Sequence, residues 1–244
     1  MALKPVLRER ARDAEIARQT PRETVDNFIE AGILKTIQPK CYGGHQTDWE
    51  TVLSVIMALA QGDGSQAWVA AVYSIHALDV TMFPEQAQDE VWGGNPDQLI
   101  VSAVAPSGRG ERTDDGIIVN GRWGFVSGVA DGTWAEVGFM MPDAKSEEPV
   151  HHLCLVPAEN FAIEDTWHAM GITGSGSNHI SLHDEFVPNH RVILRTDQRA
   201  GTAPGTSSHD DKIYATPYLS VPPSVLASVV VGAAEGAMEE YIEF

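Results

Sequence analysis

Trp68 and His76 stand eight residues apart in a stretch, 66–83, that is apolar on nearly all sides. In a helix that spacing is close to two turns, so the indole and the imidazole share nearly one face. On residue type alone, a tryptophan in such a helix reads as core packing. A lone histidine there reads as a satisfied core residue, although an imidazole is also the commonest general acid or base. Ser127 ends a strand-like stretch, 122–127, just before Gly128. It reads either as a cap for the turn or as a fixed hydroxyl donor. Ser102 lies in another strand-like stretch, 100–105. The run Gly171-Ile172-Thr173-Gly174-Ser175-Gly176-Ser177 has the look of a phosphate loop. It lacks the lysine of a P-loop and sits in no βαβ unit. His151, His152, His179 and His183 fall in strands whose spacing makes no closed metal site, and they read as surface histidines. Cys41 and Cys154 match no metal or redox spacing, and no Ser-His-Asp arrangement stands out from chance.

The elements that must position these residues follow from the hydrophobic pattern. Residues 3–18 have helical spacing. Thr20-Pro21-Arg22-Glu23 is a capping box with proline at the first helical position. Its helix places Val25, Phe28, Ile29 and Ile33 on one face, with Gly32 near the end. Thr47-Asp48-Trp49-Glu50 starts a third helix, and Asp63-Gly64-Ser65 caps the buried stretch at 66–83. Pro84 opens a short helix that ends at Gly93-Gly94. From 99 to about 195 the pattern changes to short strands at 100–105, 117–119, 122–127, 134–140, 152–156 and 179–182. Asp114-Asp115-Gly116 and Asn120-Gly121 read as turns between them. This predicts a compact antiparallel sandwich or barrel. Residues 197–220, rich in Gly, Thr, Ser, Pro and Asp, read as a long loop. A last helix begins near Pro222-Pro223, and without a following partner it reads as the start of a truncated or shared bundle.

Composition bounds the function. The 244 residues are 43% hydrophobic and 20% charged, as in an ordinary globular protein. Lys+Arg is 16 against Asp+Glu 34, a formal charge of −18. That field repels phosphate backbones and argues against nucleic-acid binding. The longest apolar runs are about half of the ~20 residues a bilayer span needs. The N-terminus is charged and has no apolar signal core. With two isolated cysteines, the expectation is a cytoplasmic protein with no membrane segment.

Several short motifs occur in a familiar order. They are Gln38-Pro39 with Gly43-Gly44, Gly64-Ser65-Gln66-Ala67-Trp68, Ser74-Ile75-His76, residues 86–93, Ala105-Pro106 and Val119-Asn120-Gly121-Arg122-Trp123. Ser127-Gly128, residues 171–178, Phe186-Val187-Pro188 and Gly201-Thr202-Ala203-Pro204-Gly205 continue the series. Collinear over nearly the whole chain, they resemble the oxygenase components of two-component flavin-dependent monooxygenases. That family includes the hydroxylases of a bacterial secosteroid phenol and of 4-hydroxyphenylacetate, and it is built on the acyl-CoA dehydrogenase fold. The acyl-CoA dehydrogenases themselves carry Thr-Glu and Gly-Ser-Asp where the β-domain begins. Here that stretch is Ala105-Pro106-Ser107-Gly108-Arg109-Gly110.

The resemblance implies an α+β fold with an N-terminal helical domain (1–97) and an antiparallel β-domain (98–196). A long loop (197–220) follows, then the first helix (221–244) of a C-terminal four-helix bundle that is largely absent. It implies reduced FMN as cofactor, with FAD as the other candidate, and O2 as co-substrate, reacting through a hydroperoxide of the flavin. A separate NAD(P)H-dependent flavin reductase, a phenolic or other aromatic substrate and a homotetramer complete the expectation. Ser127 would sit beside the flavin N5, with Phe125 and Val126 lining the ring and Trp68 walling the pocket. Ser102, Ala103 and Val104 would also touch the flavin. His76, assisted by Ser102, would contact the substrate hydroxyl and favour the more nucleophilic phenolate. The competing expectations are an acyl-CoA dehydrogenase-type FAD oxidoreductase and a truncated, non-catalytic binding module.

Overall fold

Asp63 begins the element on which the rest is built. In a computed structural model that describes residues 3–143 and 148–243, its Oδ1 accepts a hydrogen bond from the Gln66 backbone N–H at 2.8 Å. That satisfies one of the free donors at the start of helix α4 (Gly64–Thr81). Gln66, Ala67 and every residue from Val69 to Thr81 are buried, as an all-round apolar helix requires. Around it pack α1 (Leu3–Ala17), α2 (Arg22–Glu30), α3 (Trp49–Ala60) and α5 (Glu85–Trp92). Helix α7 (Pro222–Glu243) lies against α3 and α4. Gly232 lets it approach, because a Cβ there would overlap the Met57 carbonyl. Val225 and Val229 are buried, whereas Val230, Val231, Met238, Tyr241 and Ile242 form an exposed apolar stripe.

On its other side α4 meets a seven-stranded sheet with the order β5-β6-β2-β1-β3-β4-β7. The strands are β1 (Ile100–Arg112), β2 (Gly116–Val126), β3 (Trp134–Pro142), β4 (Pro149–Pro157), β5 (Ala162–Glu164), β6 (Asn178–Pro188) and β7 (Val192–Leu194). The α+β, acyl-CoA dehydrogenase-like expectation holds, with corrections of detail. The sheet is mixed rather than wholly antiparallel, because β1 pairs with β3 in parallel, Ser102 beside Glu136. Asn120-Gly121 is not a turn. β2 runs straight through it, pairing Asn120 with Arg109 and Gly121 with Gly108. The pair instead marks a register shift against β6, where the Asn120 side chain bonds Asp184. β1 also extends beyond Ala105. Its Gly108 leaves room for the fully buried Trp123 indole, whose N–H reaches across to the Gly138 carbonyl at 2.7 Å.

The segment 197–220 is not simply a loop. Helix α6 (Arg195–Ala200) opens it, and 3-10 turns at Pro204–Ser208 and Lys212–Ala215 follow. The Gly205 N–H bonds the Met82 carbonyl, and buried Tyr214 donates to the Ile37 carbonyl, so the segment is stitched to the helical layer. No helix among the described residues is long and apolar enough to cross a membrane.

Candidate active site

The α4–sheet junction carries polar groups at three levels along one helix. At the first level, Trp68 Nε1 donates to Ser127 Oγ at 3.0 Å. Ser127 Oγ in turn lies 2.8 Å from Ser177 Oγ, which is 2.7 Å from Ser175 Oγ. Ser127 therefore spends its hydroxyl on a chain joining helix to sheet, not on capping the turn that follows it. That turn is held from both sides. Tyr73, on α4, donates to the Gly128 carbonyl at 2.5 Å, and the Gly128 N–H donates to the Ser175 carbonyl at 2.8 Å. Gly128 itself has φ +72°, which suits glycine.

Phe125 stands next to this chain with φ +63°, a conformation that is costly for a bulky residue. Its ring is 75% exposed and meets Trp167 and His179 edge-on at 6.2 and 6.4 Å between centroids. Val126 points the opposite way and is wholly enclosed in the core. Any contact from Val126 to a ring at this level would come from its backbone.

At the second level, His76 Nδ1 lies 2.8 Å from the Ile100 carbonyl. A carbonyl only accepts, so Nδ1 carries the proton and Nε2 is left as the acceptor. Burial lowers the His76 pKa to about 4, against the opposing effect of that bond, so the ring is neutral near pH 7. Ser102 lies two residues further along β1, half-buried, with Ala103 and Val104 beside it where the register of β1 against β3 shifts. The structure joins Trp68 to Ser127 directly. It joins His76 to the strand that bears Ser102, with no bond between the two pairs.

The third level was not anticipated. Ser102 Oγ donates to Glu136 Oε2 at 2.9 Å. Gln198 Nε2 donates to Glu136 Oε1 at 2.9 Å and to Asp79 Oδ1 at 3.3 Å. Arg195 donates to Gln198 Oε1 and stacks 4.7 Å over the Tyr218 ring. Glu136 and Asp79 are fully buried. Burial pushes the Glu136 carboxyl up to about 7, opposed by Arg195 and by its hydrogen-bond donors. Asp79 is raised well above its ordinary value, by burial and by the neighbouring Glu136 charge, which favours the proton on Asp79 while Glu136 is ionised. The sequence did contain a signal. Asp79 is the one charged residue in α4, and Glu136 the one in β3. Ser175 and Ser177 lay in the glycine-rich run, which the sequence could place but not explain.

His152 corrects the surface reading of the strand histidines: it is buried and stacks on Phe139 at 5.4 Å. Among the described residues no three His, Cys, Asp or Glu side chains are grouped to hold a metal.

Comparison with known proteins gives this junction a context. Residues 2–93 match the family described as acyl-CoA dehydrogenase, N-terminal domain. The flavin-dependent monooxygenase oxygenase subunit HsaA of Rhodococcus jostii (strain RHA1) is 35% identical over 243 residues, 99% of this chain and 63% of that protein. The FADH2-dependent resorcinol hydroxylase, oxygenase component, of Rhizobium sp. (strain MTP-10005) is 35% identical over 239 residues, 98% of this chain and 58% of its own length. The crystal structure of 3-HSA hydroxylase from Rhodococcus sp. RHA1 superposes with a TM-score of 0.94 at 34% identity, covering 99% of this chain and 62% of that one. The chain thus spans rather less than two thirds of the length of these relatives. Over nearly its whole length it is homologous to oxygenase components of flavin-dependent monooxygenases and carries their acyl-CoA dehydrogenase-like fold.

Proposed function

We propose that the chain is the flavin- and substrate-facing part of an oxygenase component that hydroxylates a phenolic or other aromatic compound. Reduced flavin and O2 are its co-substrates, and a separate NAD(P)H-dependent flavin reductase supplies the flavin. The observation that carries this reading is the Trp68–Ser127–Ser177 hydrogen-bond chain, which ties the helical layer to the sheet beside a strained, exposed aromatic residue. An isoalloxazine ring needs apolar walls and a few fixed polar groups. Trp68, Phe125, Ala103, Val104 and the Val126 backbone fit the walls, and Ser127 fits the polar group. The bound reduced flavin would supply the electrons that activate O2.

The protein's own residues supply position. The Ser127 oxygen is held by the Trp68 N–H on one side and lies against Ser177 Oγ on the other, which fixes the hydroxyl where a ring nitrogen would sit. Neutral His76 offers Nε2 as an acceptor to a phenol O–H, which orients the arene. FADH2 in the name of the Rhizobium relative favours FAD over the FMN expected from the sequence. The reading includes a helical domain at 1–97, a β-domain at 98–196, a cytoplasmic location and a homotetramer. The exposed apolar stripe of α7 suits burial within such an assembly.

The test is anaerobic titration with FAD and FMN in both redox states, followed by mixing with oxygenated buffer and a phenol panel. The expected result is tighter binding of the reduced flavin and an ortho-hydroxylated product. A chain that binds neither flavin and forms no product would end this reading.

A further inference from the structure

The Asp79–Glu136–Gln198–Arg195 cluster lies behind the proposed flavin and phenol contacts and ends on Ser102. Its bookkeeping is informative. Glu136 accepts from Ser102 and from Gln198, and Asp79 lies within hydrogen-bonding reach of it. Asp79 Oδ2 is buried and has no donor among the described residues. Gln198 bridges the two buried carboxyl groups, and two carboxylates this close do not both ionise. With that proton on Asp79 and the charge of Arg195 nearby, the cluster is neutral when Glu136 is ionised.

The groups that face Glu136 come from every side. Asp79 comes from α4, Arg195 and Gln198 from α6, and Tyr218 from the segment before α7. Cys154, on β4, has its thiol raised by burial and by the Glu136 charge. None of these is a stronger proton acceptor for Ser102 than Glu136, the only one bonded to it among the described residues.

A serine hydroxyl has one proton to give. Here it goes to Glu136, so the Ser102 oxygen can only accept. We propose that Glu136 is the positioning residue and proton acceptor that acts through Ser102 on a bound phenol. This rests on the phenol-hydroxylase reading above. The phenol O–H bond breaks as its proton passes to Ser102 Oγ, and the former Ser102 proton passes to Glu136 Oε2. The products are a phenolate and a neutral glutamic acid, and Ser102, its hydroxyl reversed, now donates to the phenolate. Asp79 and Gln198 hold the carboxylate in line. His76 stays neutral throughout this range and can accept but not neutralise the charge.

Two sites that share a proton titrate as a pair in two macroscopic steps. The experiment binds a difluorophenol, with its fluorines ortho to the hydroxyl, to the full chain and follows its ionisation by fluorine NMR against pH. The measurement is made under nitrogen, with and without reduced flavin. In the unaltered chain the bound probe should ionise in two steps at least about one pH unit apart. Glu136→Gln keeps the shape and one acceptor oxygen but cannot take a proton, and it should leave a single step. Ser102→Ala cuts the bridge while both carboxyl groups stay in place, and it should draw the two steps together. A bound probe whose titration is the same in the unaltered chain and in Glu136→Gln overturns the proposal and leaves the phenol reading standing. A probe that binds to none of the three proteins removes the phenol reading, and this proposal with it.

Discussion

His76 shows how a single side chain can be over- and under-read. From the sequence it was a core histidine with a resemblance attached. In the structure it is buried, with Nδ1 committed to the Ile100 carbonyl and Nε2 available. Both descriptions are true, and the second makes the first useful, because a desolvated neutral imidazole is a fixed acceptor. His76→Ala is therefore expected to lower product formation by about 10²-fold or more. Hydrogen peroxide release should remain, since Trp68 and Ser127 sit eight or more residues away along other contacts. Chromatography of the product alongside a peroxide assay checks this. Loss of flavin binding instead would place His76 in the cofactor site. Residue type shows which groups can act. It could not tell which way Phe125 and Val126 face, because φ +63° at Phe125 turns the strand locally and is not encoded in alternation.

At the scale of elements, the helices were legible and the sheet only partly so. The buried helix at α4 could be read because its apolar residues surround it and Asp63 announces its start. Helix α6 could not be read, because Arg-Thr-Asp-Gln-Arg-Ala looks like solvent-exposed loop. Only tertiary contact buries Arg195 and Gln198. The Asn120-Gly121 signal was real but was answered by a bulge, as neighbours on β1 and β6 kept the strand extended. The cap gives a test at this scale. Asp63→Ala removes the acceptor for the Gln66 N–H and for the Gln66 side chain at 3.1 Å. It should cost about 1 kcal/mol of stability, read as a shift in the denaturant midpoint at constant slope. No change in midpoint would mean that packing alone fixes the start of α4.

At the scale of the whole molecule, the buried acids should be visible in stability against pH. Glu136 is raised in the fold from its ordinary 4.5 to about 7, and Asp79 moves the same way. The folded chain then holds protons that the unfolded chain has released, so this contribution is full below about pH 4.5 and lost as pH rises through about 7. His76 has the opposite sign. Its pKa is depressed to about 4, so its contribution is present above about 6.5 and lost on acidification. Glu136→Gln removes the Glu136 part of the first effect and leaves the second. The melting temperature of the variant should gain on the unaltered chain from about pH 5 to about pH 8, by the equivalent of about 1–3 kcal/mol. A gap that stays constant with pH would show that Glu136 is ionised at no cost in the fold.

Helix α4 is the common wall of both layers, and it bears Trp68, His76 and Asp79 at intervals of eight and three residues. Adding or deleting one residue between them would turn everything downstream by about 100° and shift it by about 1.5 Å. The imidazole would leave the Ile100 carbonyl, and a carboxylate would be driven into hydrocarbon. Homologues that keep this constellation must therefore vary in length elsewhere, and a gap falling inside 68–79 in an alignment would mark a protein that has abandoned the chemistry while retaining the architecture.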